Sequence, residues 1–123
     1  MPRTRTSLAL AVAALVVAGC GDAGPLVRDD TSFTVALDDY LLRPQEVRVP
    51  KGRRLTVTVV NRGRLGHTFR IRSLNDRNVL AMTTIRPGEQ ASRGVRLAAG
   101  HYTMYCVLAN HEELGMYGTL TVR

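Results

Sequence analysis

The sequence predicts an all-β domain, an antiparallel sandwich of seven to eight short strands. Three observations carry that expectation. Apolar and polar residues alternate with period two over several segments between Phe33 and Val122. Turn formers such as Pro50-Lys51-Gly52, Arg86-Pro87-Gly88 and Ala99-Gly100 separate those segments at short intervals. No stretch of the domain keeps a helical period long enough to build a helix layer.

The elements follow in order. Phe33, Val35 and Leu37 alternate with Thr34, Ala36 and Asp38, a half-buried strand. Pro44 and Pro50 flank Val47-Arg48-Val49, a short strand with both valines on one face; proline suits strand starts and edges. Leu55 to Val60 is the most β-prone segment, rich in branched residues. Asn61 to Gly66 holds two glycines and reads as a loop. His67, Phe69 and Ile71 then share one face, with Thr68, Arg70 and Arg72 on the other. Asn75 to Met82 fits either a loop or a short helical turn. Val95 and Leu97 alternate around Arg96; Tyr102, Met104 and Cys106 share a face; Gly118, Leu120 and Val122 continue the parity of Met116.

With 123 residues the chain has room for one compact domain. Its formal charge is +7, or +5 once Arg3 and Arg5 of the leader are set aside. That field suits acidic partners or anionic lipid. The arginines are scattered along strands rather than gathered around aromatics, which argues against nucleic-acid binding.

Arg3 and Arg5 precede an apolar run from Leu8 to Ala18, the pattern of a secretory signal and too short to span a bilayer. The run closes in Val17-Ala18-Gly19-Cys20, which resembles the bacterial lipobox. We therefore expect a lipoprotein signal peptide over 1–19, lipidation at Cys20, a flexible tether over 20–31 and the folded domain over 32–123. An ordinary secretory cleavage near Ala18 is the alternative. The expected place is outside the cytoplasm, on the cell membrane. The two cysteines, Cys20 and Cys106, each have a local explanation stronger than a disulfide between them.

Chemistry concentrates in Cys106-x4-His111-x4-Met116, a loop between two strand segments. Alone, Cys106 reads as a buried structural thiol, Met116 as core filler, His67 as a core histidine and His111 as a surface residue. Jointly they give a thiolate, two imidazoles and a weak thioether, the donor set of a blue-copper electron-transfer centre. His67, Cys106 and Met116 are each in register with apolar residues of their own strands, so they are expected to point inward at strand ends. A structural zinc site takes four strong donors, and a thioether in fourth place favours copper. His101 has the opposite parity from Cys106 and is expected to face solvent.

These residues carry a family resemblance. The Asn61-x-Gly63 turn before His67, the Gly100-x-Tyr102 turn before Cys106, and the Cys106/His111/Met116 loop closing with Gly115-Met116-x-Gly118 resemble the cupredoxins, and the loop spacing is most similar to auracyanin. The resemblance runs from about Phe33 to Val122. It implies a Greek-key sandwich holding one type 1 copper ion, with His67, Cys106 and His111 equatorial, Met116 axial and the Gly66 carbonyl as a weak further contact. It implies an electron carrier, not an enzyme, that docks transiently and as a monomer with redox proteins through an apolar patch around His111. Leu65, Leu108, Ala109 and Leu114 are the patch candidates, and Tyr105 is a candidate second route for the electron. Two positions depart from the family pattern. Thr68 stands where many members have Asn, so the tie between the ligand loops is expected to be weaker or made differently. Ala109-Asn110 stands where many have Pro, so the ligand loop is expected to be less rigid. The alternative functions are copper delivery or storage outside the cytoplasm, and an adhesion-like sandwich without metal.

Overall fold

The computed structural model describes residues 31–123 and the backbone of Leu26–Val27. The leader and Cys20 lie outside the described residues. Ten strands form among the described residues: β1 (Leu26–Val27), β2 (Ser32–Asp38), β3 (Leu41–Arg43), β4 (Glu46–Val49), β5 (Arg54–Asn61), β6 (His67–Ser73), β7 (Asn78–Ile85), β8 (Gln90–Arg96), β9 (Gly100–Tyr105) and β10 (Tyr117–Val122). The short β1 lies within the expected tether and pairs with β4. No helix among the described residues is long and apolar enough to cross a membrane.

The strands make two sheets, ordered β1-β4-β10-β9-β6-β7 and β3-β2-β5-β8. Their inward faces form one core, in which Leu37, Leu55, Phe69, Ile71, Met104 and Leu120 are almost fully buried. The sandwich agrees with expectation, but the sheets are mixed. β2 pairs with β5 in parallel, and β10 with β4 likewise. Chain that leaves one sheet and returns through the other brings non-consecutive strands side by side in either sense. Strand periodicity carries no information about that choice.

Besides β1, two strands escape the sequence reading. β3 is only three residues long. β7 occupies most of the ambiguous stretch, with Leu80, Met82 and Ile85 inward. The spacing from Met82 to Ile85 breaks period two because the β6–β7 ladder shifts register between His67 and Phe69. A bulge of this kind disguises a strand as irregular chain.

The register also places the ends. Asp38, Leu41, Asn61, His67, Ile85, Tyr105 and Tyr117 all lie at one end of the sandwich. Ser32 begins β2 at the other end, where the Thr56 amide donates to the Thr31 carbonyl at 2.7 Å.

Candidate metal centre

His67 opens β6 and follows a tightly wound loop. Asn61 sits at the end of β5, 1% exposed, and its side chain organises that loop. Its Nδ2 donates to the carbonyls of Leu65 and Ile85, both at 2.8 Å, and its Oδ1 accepts from the Gly63 amide at 2.8 Å. The buried amide therefore fixes the exit from β5, the entry into β6 and the end of β7 together. Gly66, just before His67, packs against Thr84.

Cys106 follows β9, and Met116 precedes β10. The backbone ties the ligand residues to each other: Cys106 N–H donates to the Met116 carbonyl at 3.1 Å, and Met116 N–H to the His111 carbonyl at 3.0 Å. Turns from His111 to Leu108 and from Leu114 to Asn110 close the rest of the loop. Gly115 completes it at φ 125°, a conformation that disfavours a side chain, and a Cβ there would lie 3.0 Å from the Tyr40 carbonyl. Outside the loop, the Arg72 guanidinium makes a two-pronged ion pair with Glu112 and stacks 4.2 Å over the Tyr105 ring. The loop expected to be slack for want of proline is thus held by its own hydrogen bonds and by Arg72.

Three donor residues meet at this end. His67 and Cys106 are fully buried and His111 is 9% exposed. Their donor atoms lie within 4.8 Å of one another, the one such His/Cys/Asp/Glu group among the described residues. His67 Nδ1 and His111 Nδ1 are 3.2 Å apart, and Cys106 Sγ is 3.6 Å from His111 Nδ1. A tetrahedral ion with bonds of about 2.0 Å to nitrogen and about 2.3 Å to sulfur separates its donors by about 3.3 Å (N–N) and about 3.6 Å (N–S). The donor set and its spacing therefore fit a metal ion. Met116 is fully buried, just before β10.

The protonation states agree. Burial, and then the neighbouring His67, hold His111 below the ordinary histidine value, against a smaller opposing pull from Asp39. At neutral pH His111 therefore presents a lone pair. His67 Nε2 lies 2.7 Å from Asp39 Oδ1. A carboxylate only accepts, so the His67 proton sits on Nε2 and its Nδ1 lone pair faces His111.

Thr68 is buried rather than outward-facing. Its hydroxyl accepts from the Val107 amide at 2.9 Å and lies 3.6 Å from Cys106 Sγ, where it donates. The tie expected to be weaker or made differently is made by a hydroxyl, linking β6 to the ligand loop. Tyr105 is also buried, under Arg72, with its hydroxyl donating to Asn78 Oδ1 at 2.7 Å. His101 is exposed on the outer face of the sheet, 3.2 Å from Thr121 Oγ1. Among the patch residues, Leu65, Ala109 and Leu114 are exposed, while Leu108 is half-buried against the core. Two neighbours escape the sequence reading. Asp39 and Tyr40 form the turn after β2, and the Tyr40 ring meets His111 edge-on at 5.1 Å. Asp38-Asp39-Tyr40 looks like any polar turn, and only the φ of 98° at Tyr40 marks it as unusual. The pairing of β2 with β5 brings it to the site.

Fold and site together define a small β-sandwich metalloprotein of the blue-copper class. His67, Cys106 and His111, with Met116, are arranged as a type 1 copper site. The model of the Cupredoxin-like domain matches residues 7–122, and the chain belongs to that family. Similar solved structures agree in fold. Auracyanin from the photosynthetic bacterium Roseiflexus castenholzii is 22% identical, covering 78% of this chain and 99% of its own, with a TM-score of 0.70. Auracyanin B is 19% identical over 81% and 95%, with a TM-score of 0.68. Rusticyanin from Thiobacillus ferrooxidans is 18% identical over 79% and 80%, with a TM-score of 0.65. A comparison with curated proteins gives no match.

Proposed function

We propose that this chain is a one-electron carrier in which His67 Nδ1, His111 Nδ1 and Cys106 Sγ, with the Met116 thioether, would hold copper. One observation carries the reading: two imidazole nitrogens and a thiol converge, buried, at separations that suit one ion. Bound copper supplies a one-electron couple in which soft sulfur favours the reduced ion and imidazole serves both states. The protein's part is to keep the donors still. The backbone links among Cys106, His111 and Met116 and the Asn61 and Thr68 bridges restrain them from both sheets.

Electrons pass, in this reading, through the end of the sandwich where His111 comes nearest solvent. Leu65 is 43% exposed and Leu114 52%, and the exposed Tyr40 lies against His111. Such a patch suits a small transient contact with another redox protein. A buried, compact ligand set gives the copper-delivery alternative no comparable support.

We further propose that Cys20 is lipidated and holds the domain at the outer face of the cell membrane. The lipobox-like sequence supports this. The exposed cations Lys51, Arg53, Arg54 and Arg96 lie at the end of the sandwich away from the metal centre and would favour an anionic surface.

The test is the visible spectrum of the soluble domain loaded with Cu(II), with Cys106→Ser beside it. An intense thiolate-to-copper band, absent in the variant and bleached by reductant, is expected. Colourless protein with tight Cu(I) binding would favour delivery over electron transfer. For the anchor, lipid labelling of the full chain is expected to disappear in Cys20→Ser; labelling that persists would overturn it.

A further inference from the structure

One side chain at the copper centre has no place in the ligand set and yet reaches a ligand directly. Asp39 stands on the turn between β2 and β3, 28 residues before His67 in sequence. Its Oδ1 accepts from His67 Nε2 at 2.7 Å and from the Leu65 amide at 3.3 Å, and its Oδ2 accepts from the Arg64 amide at 2.8 Å. Both oxygens act only as acceptors, as an ionised carboxylate does, and the loop that delivers His67 fixes the group in place.

Gly63 makes room for it. A Cβ at that position would lie 2.1 Å from Asp39 Oδ1, 2.9 Å from Asp39 Cγ and 3.0 Å from His67 Nε2. No side chain fits there while Asp39 and His67 stay in contact. The φ of Gly63 lies outside the left-handed region, so the requirement is for space and not for backbone freedom.

We propose that Asp39 is a positioning residue for the copper centre, whose carboxylate orients His67 and lowers the reduction potential. This rests on the copper reading above. Two effects give the sign. By accepting from Nε2–H, the carboxylate fixes the tautomer and ring rotation that aim Nδ1 inward, and it makes that nitrogen a stronger donor. A stronger donor and a nearby negative charge both favour the more highly charged Cu(II) over Cu(I). Asp39 thus biases the couple toward oxidised copper, against the thioether and the buried thiolate environment.

Asp39→Asn keeps the shape and removes the charge. Gly63→Ala keeps the charge and forces the two groups apart. Asp38→Asn is the control: it removes a neighbouring carboxylate that pairs with Arg43 at 2.6 Å and does not touch His67. Two measurements decide. In the metal-free protein at about pH 8, above the ordinary histidine range, imidazole nitrogen NMR is expected to show His67 as one Nε2–H tautomer. Asp39→Asn and Gly63→Ala are expected to give a mixture, and Asp38→Asn the wild-type pattern. In the copper-loaded protein, both site variants are expected to raise the potential by about 59 mV, a tenfold change in the Cu(II)/Cu(I) affinity ratio. Asp38→Asn is expected to move it by much less.

An unchanged tautomer in Asp39→Asn and Gly63→Ala would overturn the proposal. So would a potential that moves no further than in Asp38→Asn, because a carboxylate that only caps the Arg64 and Leu65 amides affects stability and not the couple. Wild-type protein that takes up no copper would instead sink the copper reading. The tautomer spectra would then still decide whether Asp39 orients His67.

Discussion

Replacing Thr68 with valine removes one hydroxyl and keeps the side-chain shape. That hydroxyl accepts from the Val107 amide at 2.9 Å and donates to Cys106 Sγ at 3.6 Å. Without it the amide loses its partner in a part-buried setting. Leaving a buried donor unsatisfied costs about 1–3 kcal/mol, and the partial exposure here points to the lower end, about 1 kcal/mol. For a domain of this size each kcal/mol lowers Tm by about 4–8 °C. The sulfur loses a hydrogen bond that draws electron density from the thiolate, so a bound cupric ion receives more donation and the reduction potential falls. Thr68→Ser restores the hydroxyl without the methyl group. The assay is paired thermal unfolding of the metal-free protein and voltammetry of the loaded one, across wild type, Val and Ser. Valine is expected to lower both quantities and serine to recover most of each. Valine behaving as wild type in both, or serine failing as valine does, would refute the bridging role.

Other perturbations follow from the same geometry. Arg72→Met breaks the half-exposed pair with Glu112, so stability should fall by no more than about 1 kcal/mol. Transfer of Cu(I) to a competing chelator should nevertheless quicken, because the clamp on the ligand loop is gone; unchanged release would show the loop needs no clamp. Phe69→Ala opens a cavity in the fully buried core under the site and should cost about 3–5 kcal/mol in denaturant unfolding. His111 has a folded-state pKa below its unfolded value. As pH falls below about 6.5, the unfolded state therefore takes up a proton that the folded state resists, and metal-free stability should decline. His111→Gln should flatten that decline, as read from unfolding midpoints at a series of pH values; an equal slope in both proteins would refute it.

Much of the site was legible along the chain. Cys106, His111 and Met116 sit in one loop, where spacing alone brings them together. His67 declares its inward face through the parity it shares with Phe69 and Ile71. Period two failed where the ladder is irregular: register shifts between β6 and β7 interrupt the alternation along β7, and Thr68, expected on the outer face, is buried beside Cys106. Tyr105 is covered by an arginine from the neighbouring strand, a contact its own position in the chain does not announce.

The sequence by itself determined the sandwich and the donor set, because strand alternation and the ligand-loop spacing are local properties. The tertiary structure alone decided what surrounds those donors. Asp39 lies 28 residues from His67, Thr68 lies 38 from Cys106, and Arg72 lies 40 from Glu112. Those contacts exist because β2 pairs with β5 and β6 with β9 in particular registers. A turn carboxylate, a strand hydroxyl and a surface arginine have no chemistry of their own that marks them in advance. They become part of a copper site only when the packing of two sheets sets them against its ligands.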